Sequence, residues 1–263
     1  MKTVKSSDGT LIAYEKTGNG PPVVLVHGPP DDHTYWEMVQ PALAKYLTVY
    51  AIDRRGRGQS GDTTEYRIEL EFNDVATVAD MIDEPVILLG HSHGGIVALE
   101  AALRTNNLHK LILYEPPIMD ESKEPDEFLL KTFSEIESAI DQGDNEKALL
   151  MHLETLLGIP PDEIDKYRAT PYWTVMVNAA PTLPRELQAD VEYVFDAKRF
   201  SGLTIPTLLL SGGESLPFLK EATKKLDNAL PNSKIAILEG QEHDAAQTAP
   251  DLFADKVLQF ARE

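Results

Sequence analysis

The sequence predicts an α/β fold: a mostly parallel sheet covered by helices on both faces, interrupted by a helical insertion. Three observations predict it. Short apolar runs recur along the chain, helix-patterned segments separate them, and one long central stretch has helical patterning without a convincing strand. β-branched runs of this kind, bounded by Gly, Pro or Asp, suit strands buried on both faces. Their alternation with helices implies a parallel arrangement.

The N-terminal runs Thr3–Lys5 and Leu11–Glu15 flank Ser6-Ser7-Asp8-Gly9, a good hairpin turn, and so add an antiparallel edge. Six buried strands are expected at Val23–Val26, Val49–Ile52, Val86–Leu89, Leu111–Tyr114, Thr207–Leu210 and Ile235–Leu238. Helices are expected at Tyr35–Tyr46, Leu70–Ile82, Gly95–Arg104, Phe218–Leu230 and Ala249–Ala261. Between Pro117 and about Phe200 lie only helical patterns, at Asp126–Asp141, Glu146–Leu157 and Pro184–Lys198, punctuated by Pro160, Pro161, Pro171, Pro181 and Pro184. Ligands bind at the C-terminal ends of the strands in such sheets. The insertion is therefore read as a cap: core domain 1–116 and 201–263, helical cap 117–200.

The 263 residues carry a formal charge of −19, which disfavours nucleic acid as a partner because a phosphate backbone needs a basic face. The absence of cysteine excludes disulfides, thiolate metal sites and cysteine nucleophiles. No apolar run approaches the length of a membrane span, and the N-terminus lacks an apolar signal core, so a soluble cytoplasmic protein without a membrane partner is expected. Oligomeric state stays open, a homo-oligomer included.

The chemistry centres on Gly90-His91-Ser92-His93-Gly94, a G-x-S-x-G motif between an expected strand and an expected helix. A sharp strand-to-helix turn forces an unusual backbone on its central residue and small residues two positions away, which Gly90 and Gly94 supply. The turn presents the Ser92 hydroxyl at the sheet edge, where the helix N-terminus favours developing negative charge. His91 and His93 diverge on such a turn and no nearby ligand completes a set, so no metal is expected. Gly56-Arg57-Gly58-Gln59-Ser60-Gly61 fits a dinucleotide pattern, but Asp62-Thr63-Thr64-Glu65 is a poor helix start, so no cofactor is expected. His243 follows the last strand, on the same rim as Ser92, and is the expected general base.

Taken together, His27-Gly28, the segment Asp53 to Ser60, the turn at Ser92, the helical insertion and the late His243 make the chain resemble the α/β-hydrolase superfamily over nearly its whole length. The resemblance implies a serine hydrolase acting on a carboxylic ester or lactone, with a small-molecule substrate. The usual acid position after the seventh strand holds Ser215. Two carboxylates are candidates instead: Glu115, as in family members with a Glu after the preceding strand, and Glu214 as the alternative. The resemblance also implies an oxyanion hole from the N–H of His93 and of the residue after Gly28. That residue is Pro29, followed by Pro30, and neither has an N–H. Gly28 or Asp31 is then the expected substitute. His33, Tyr35, Trp36, Tyr172, Trp173, Met176 and Val177 are candidate pocket residues, with Trp36, Tyr172, Trp173 and Met176 carried as the substrate-binding set. Other acyl chemistry, on thioesters, amides or C–C bonds, and a slow or inactive ligand-binding protein are the competing expectations.

Overall fold

The computed structural model describes residues 1–119 and 127–263. Eight strands form one sheet in the order β1-β2-β4-β3-β5-β6-β7-β8. They are β1 (Lys2–Lys5), β2 (Leu11–Gly18), β3 (Pro22–Val26), β4 (Thr48–Ile52), β5 (Val86–His91), β6 (Leu108–Tyr114), β7 (Thr207–Gly212) and β8 (Ser233–Leu238). β1 pairs with β2 and β2 with β4 in antiparallel fashion, while β3 to β8 run parallel. All eight runs expected from the sequence are strands, but β8 is not the buried strand expected: it is the sheet edge, and Ile235 and Ile237 are exposed. The Ser6–Gly9 turn is closed by Gly9 N–H to the Ser6 carbonyl (2.9 Å), with Gly9 at φ 96°.

The central strands β3, β4, β5 and β7 are buried along their whole length, as their unbroken apolar character requires. Alternate residues feed two cores. Val24, Val26, Leu88, Leu111 and Leu113 pack beneath the helices Ile68–Asp80, His93–Ala101 and Pro217–Ala229. Val23, Leu25, Ile87, Leu89 and Ile112 pack against Trp36, Leu43 and the helix Pro250–Arg262.

Between β6 and β7 the described residues are helical and have a third core of their own, built around Ile136, Leu149, Leu153, Ile164, Met176 and Leu183. Several boundaries differ from the sequence expectation for physical reasons. The helix starting at Glu127 matches the Asp126–Asp141 pattern, whose first residue lies outside the described residues. Tyr35–Tyr46 is not one helix but two short turns, His33–Trp36 and Gln40–Leu43, because Pro41 cannot donate back into a continuous helix. Two helices, Pro161–Arg168 and Tyr172–Ala179, sit where prolines suggested only punctuation; Pro161 occupies a first-turn position, where its missing N–H costs nothing. Glu146–Leu157 splits into Asn145–Leu150 and a widened π-turn, Met151–Leu156, in which Leu157 N–H reaches the His152 carbonyl at 3.1 Å. The helix expected over Pro184–Lys198 ends at Glu192: Tyr193 leaves helical geometry, and its hydroxyl donates to buried Glu100 at 2.9 Å.

Gly94 lets the helix after β5 lie directly on β3. A Cβ there would sit 2.3 Å from the His27 carbonyl oxygen and 2.5 Å from that of Val26, both backbone atoms. We expect Gly94→Ala to lower stability by about 3 kcal/mol in urea unfolding, the scale of overpacking against an unyielding neighbour. Gly202→Ala, where nothing lies within 4 Å, should change it by less than about 1 kcal/mol.

Candidate active site

β5 ends at His91 and the helix His93–Ala101 begins at once, so Ser92 alone makes the turn, at φ 54° and ψ −130°. This left-handed backbone is costly for a residue with a side chain and persists only where the surroundings enforce it. Here they do. Ser92 N–H donates to the Tyr114 carbonyl (2.9 Å), Gly95 N–H donates to the Ser92 carbonyl (2.7 Å), and a Cβ on Gly90 would meet the Gly94 carbonyl oxygen at 2.3 Å.

Glu115 follows β6 and is the second non-glycine residue with positive φ, at 45°. Its carboxylate is fully buried and receives four hydrogen bonds. Oε1 accepts from Ser211 Oγ (2.9 Å) and Gly212 N–H (2.8 Å); Oε2 accepts from Ser215 Oγ (2.9 Å) and His243 Nδ1 (2.8 Å). Burial by itself would raise its pKa, but the bonds from His243, Ser215 and Gly212 outweigh it and hold the group below the usual carboxylate value. Glu214, the alternative acid, is exposed, and its backbone N–H donates to the Gln241 carbonyl; the structure brings Glu115 to His243, not Glu214. The residue at the family's usual acid position, Ser215, donates to Glu115 instead.

The loop carrying His243 is held by two residues with no role foreseen from sequence. Tyr114 Oη donates to the Glu242 carbonyl and accepts from Ala245 N–H at 3.1 Å. His91 Nε2 lies 3.0 Å from the His243 carbonyl and donates to it, and its ring stacks on Tyr35 at 4.8 Å. Burial keeps the His91 pKa well below that of a free histidine, so the ring is neutral. The neighbours of Ser92 and Glu115 in sequence thus fix the third residue in space. Adjacency to the strand ends is the sequence signal that could have found them.

The expected oxyanion loop is irregular. Pro29 and Pro30 are joined by a cis peptide, and Asp31 N–H points to the Gly28 carbonyl (3.4 Å), which removes Asp31 as a free backbone donor. Gly28 lies against the turn at Ser92; a Cβ on it would be 2.9 Å from Ser92 Cβ.

Ser92, His243, Pro29, Asp31, Tyr35 and His91 line a cavity of about 290 Å³, whose remaining wall is mostly apolar and includes Phe133, Leu153, Leu156, Met176, Leu187 and Leu219. Tyr172 and Met176 belong to this wall as expected. Trp36, Trp173, Val177 and His33 do not. Trp36 is fully buried in the core beneath the sheet, edge-on to Tyr35, because adjacent residues on a short turn point in different directions. Trp173 packs into the core of the inserted helices with Arg168 over its ring at 5.2 Å. His33 donates to Asp53 at 2.6 Å. Asp32, His33 and Asp53 place their ligand atoms within 4.8 Å of one another, but these atoms already bond Thr34, Gln59 and one another.

The segment Asp53 to Ser60 is a turn built on Asp53, whose Oδ2 accepts from Gln59 N–H (2.8 Å). It also does something the sequence did not disclose: it buries three arginines. Arg54 reaches Glu71 and Glu186 at 2.8 Å each, Arg57 reaches Glu186 at 2.6 Å, and Arg55 grips Asp74 at 2.7 and 2.8 Å. Glu186 lies on the inserted helix Leu183–Glu192, as does Asp190, which takes a 2.6 Å bond from His93 Nδ1. The insertion is thereby clamped to the residue after Ser92. Burial pulls the His93 pKa down, but Asp190 and Glu71 prevail and push it up to about 9.

That shift has a sign. A histidine raised above its unfolded value of about 6.5 adds stability that is complete below that pH and lost as pH rises through about 9. We expect the unfolding free energy of the wild type to fall, relative to His93→Gln, by on the order of 3 kcal/mol between pH 6 and pH 10. Parallel curves would show that the pair adds nothing.

The profile of the alpha/beta hydrolase family matches residues 23–256. A solved alpha/beta hydrolase from Sphaerobacter thermophilus is 33% identical, with a TM-score of 0.84 over 98% of this chain and 99% of that one. An esterase, RhEst1, from Rhodococcus sp. is 26% identical, with a TM-score of 0.79 over 98% of this chain and 97% of that one. The non-heme chloroperoxidase CPO-A1 of Kitasatospora aureofaciens is 27% identical over 95% of both chains. The chain spans half or less of the length of several curated relatives it matches; an uncharacterised hydrolase of Bacillus subtilis (strain 168) is 30% identical over 46% of this chain and 48% of its own length. From the strand order to the turn at Ser92, the chain belongs to the alpha/beta hydrolase family.

Proposed function

We propose that the chain is a serine hydrolase cleaving a carboxylic ester or lactone of a small molecule. The observation that carries this reading is the 2.8 Å bond between His243 Nδ1 and buried Glu115, beside a serine at the strand-to-helix turn, with Ser92 and His243 on the wall of one cavity. With Nδ1–H committed to Glu115, Nε2 of His243 is the free nitrogen and serves as the base. Ser92 Oγ attacks the substrate carbonyl while Nε2 takes its proton. The imidazolium, stabilised by Glu115, returns that proton to the leaving alkoxide. Water, deprotonated by the same nitrogen, then releases the acyl group from Ser92. The His93 N–H, first in its helix, is one donor to the oxyanion, and Gly28 N–H is the remaining backbone candidate on the proline loop. The likeness to an esterase supports the ester class, and no step calls for a cofactor.

The competing reading, a hydrolase-like protein that binds without turnover, draws on the missing Pro29 N–H. A fluorophosphonate probe separates the two. Stoichiometric labelling abolished by Ser92→Ala is expected; folded protein that stays unlabelled would sink the enzyme reading. Within the triad, Glu115→Gln should lower kcat by about 10⁴-fold, while Glu214→Gln leaves it little changed. The reverse order would move the acid to the loop after β7.

A further inference from the structure

The inserted helices and the core close the cavity with a distinctive charge balance. Among its described lining residues are three aspartates, Asp31, Asp190 and Asp244, and no lysine or arginine. Among the described residues, the cations nearest Ser92 do not redress this. Arg54, Arg57 and His93 lie beside three carboxylates, Glu71, Glu186 and Asp190, and form bonds of 2.6 to 2.8 Å to them. Three positive charges therefore meet three negative ones, and this network has no cation to spare for an anion in the cavity. Asp31 is 5% exposed and takes a hydrogen bond from Tyr172 on an inserted helix, so it is fixed in the wall.

We propose that the cavity selects by charge, accepting esters whose acyl group is uncharged and rejecting those whose acyl group carries a carboxylate. This rests on the serine-hydrolase reading and adds the substrate class. An anion leaving water needs a paired cation or several donors. The described lining has no Lys or Arg, and two of its donors are already committed, Tyr172 to Asp31 and Gln247 to the Tyr35 carbonyl. The lining histidines do not supply the charge: burial holds His152 down to about 4 and His91 well below its ordinary value, so both are neutral, and the third, His243, is paired with the buried carboxylate of Glu115. The protein's own acids show what the environment does to a carboxylate. Burial, with Asp244 adding to it, pushes Asp31 up to about 8 against the hydrogen bond from Tyr172. A substrate carboxylate in the same place meets the same penalty.

The test compares p-nitrophenyl hexanoate with mono-p-nitrophenyl adipate, which share a leaving group and nearly share a length but differ by a terminal carboxylate. At pH 7 we expect kcat/KM to favour the hexanoate by about 100-fold. Phe128 lines the cavity and is 59% exposed, so Phe128→Lys places a cation at the mouth without disturbing a core, and should narrow the ratio about tenfold. A ratio near one, a preference for the adipate, or a ratio that Phe128→Lys leaves unchanged overturns the proposal. Binding of the two esters to Ser92→Ala, followed by quenching of intrinsic fluorescence, reads the same selectivity without turnover. If the wild type cleaves neither ester, the hydrolase reading fails while the binding preference still decides the charge question; binding of the adipate as tightly as the hexanoate, or of neither ester, overturns it.

Discussion

A carboxylate buried at the end of β6 sets the terms for everything around it. Glu115 has no access to water, and an ionised acid in that position is tolerable only if every lone pair direction finds a donor. The fold meets this demand from three separate elements. The end of β7 gives Ser211 and Gly212, the loop beyond it gives Ser215, and the loop after β8 gives His243. The candidate base is thus positioned by the same requirement that keeps the three strand ends in register. The unusual backbone at Glu115 aims its side chain across the sheet edge rather than along it. Tyr114 and His91 then fix the His243 loop from its two sides, so the imidazole has little freedom left.

A second buried polar cluster ties the inserted helices to this centre. Arg54 and Arg57 converge on Glu186, and His93 holds Asp190, so one helix presents two of its three carboxylates to the core. Ion pairs of this depth recover the cost of leaving water only if all members are present, which makes them a device for fixing one arrangement more than for adding stability. Their position is informative. One end of the cluster is the side chain next to Ser92, and the other is the wall of the cavity. The placement of the insertion and the geometry at Ser92 are parts of one electrostatic unit.

Much of this was legible in the sequence because it depends on short-range pattern. The central strands β3, β4, β5 and β7 are largely apolar runs, since burial on both faces leaves no polar period. Ser92 stood out through Gly90 and Gly94, which the tight turn requires. The pairing of Glu115 with His243 was one of two readings, because Glu214 also lies just beyond a strand, and the family resemblance brought Glu115 forward. What was not legible depends on partners far apart in the chain. The arginines after β4 read as an ordinary turn because Glu186 is 132 residues from Arg54. Trp36 and Tyr35 are indistinguishable by pattern, yet a single short turn sends one into the core and the other to the cavity. Prolines at 161 and 171 read as interruptions, whereas in place they open helices.

The shared oxygen at Glu115 limits what can stand at position 215. Ser215 Oγ and His243 Nδ1 both bond to the same Oε2, at 2.9 and 2.8 Å, so position 215 stands within reach of the imidazole's own partner. An acid there would face Glu115 across a gap too small for two negative charges, and one of them would have to take up a proton. The two candidate locations for an acid beside His243 therefore exclude each other within a single chain unless one of the acids stays protonated. The serine at 215 keeps that place neutral: it donates to Glu115 and leaves the negative charge undivided.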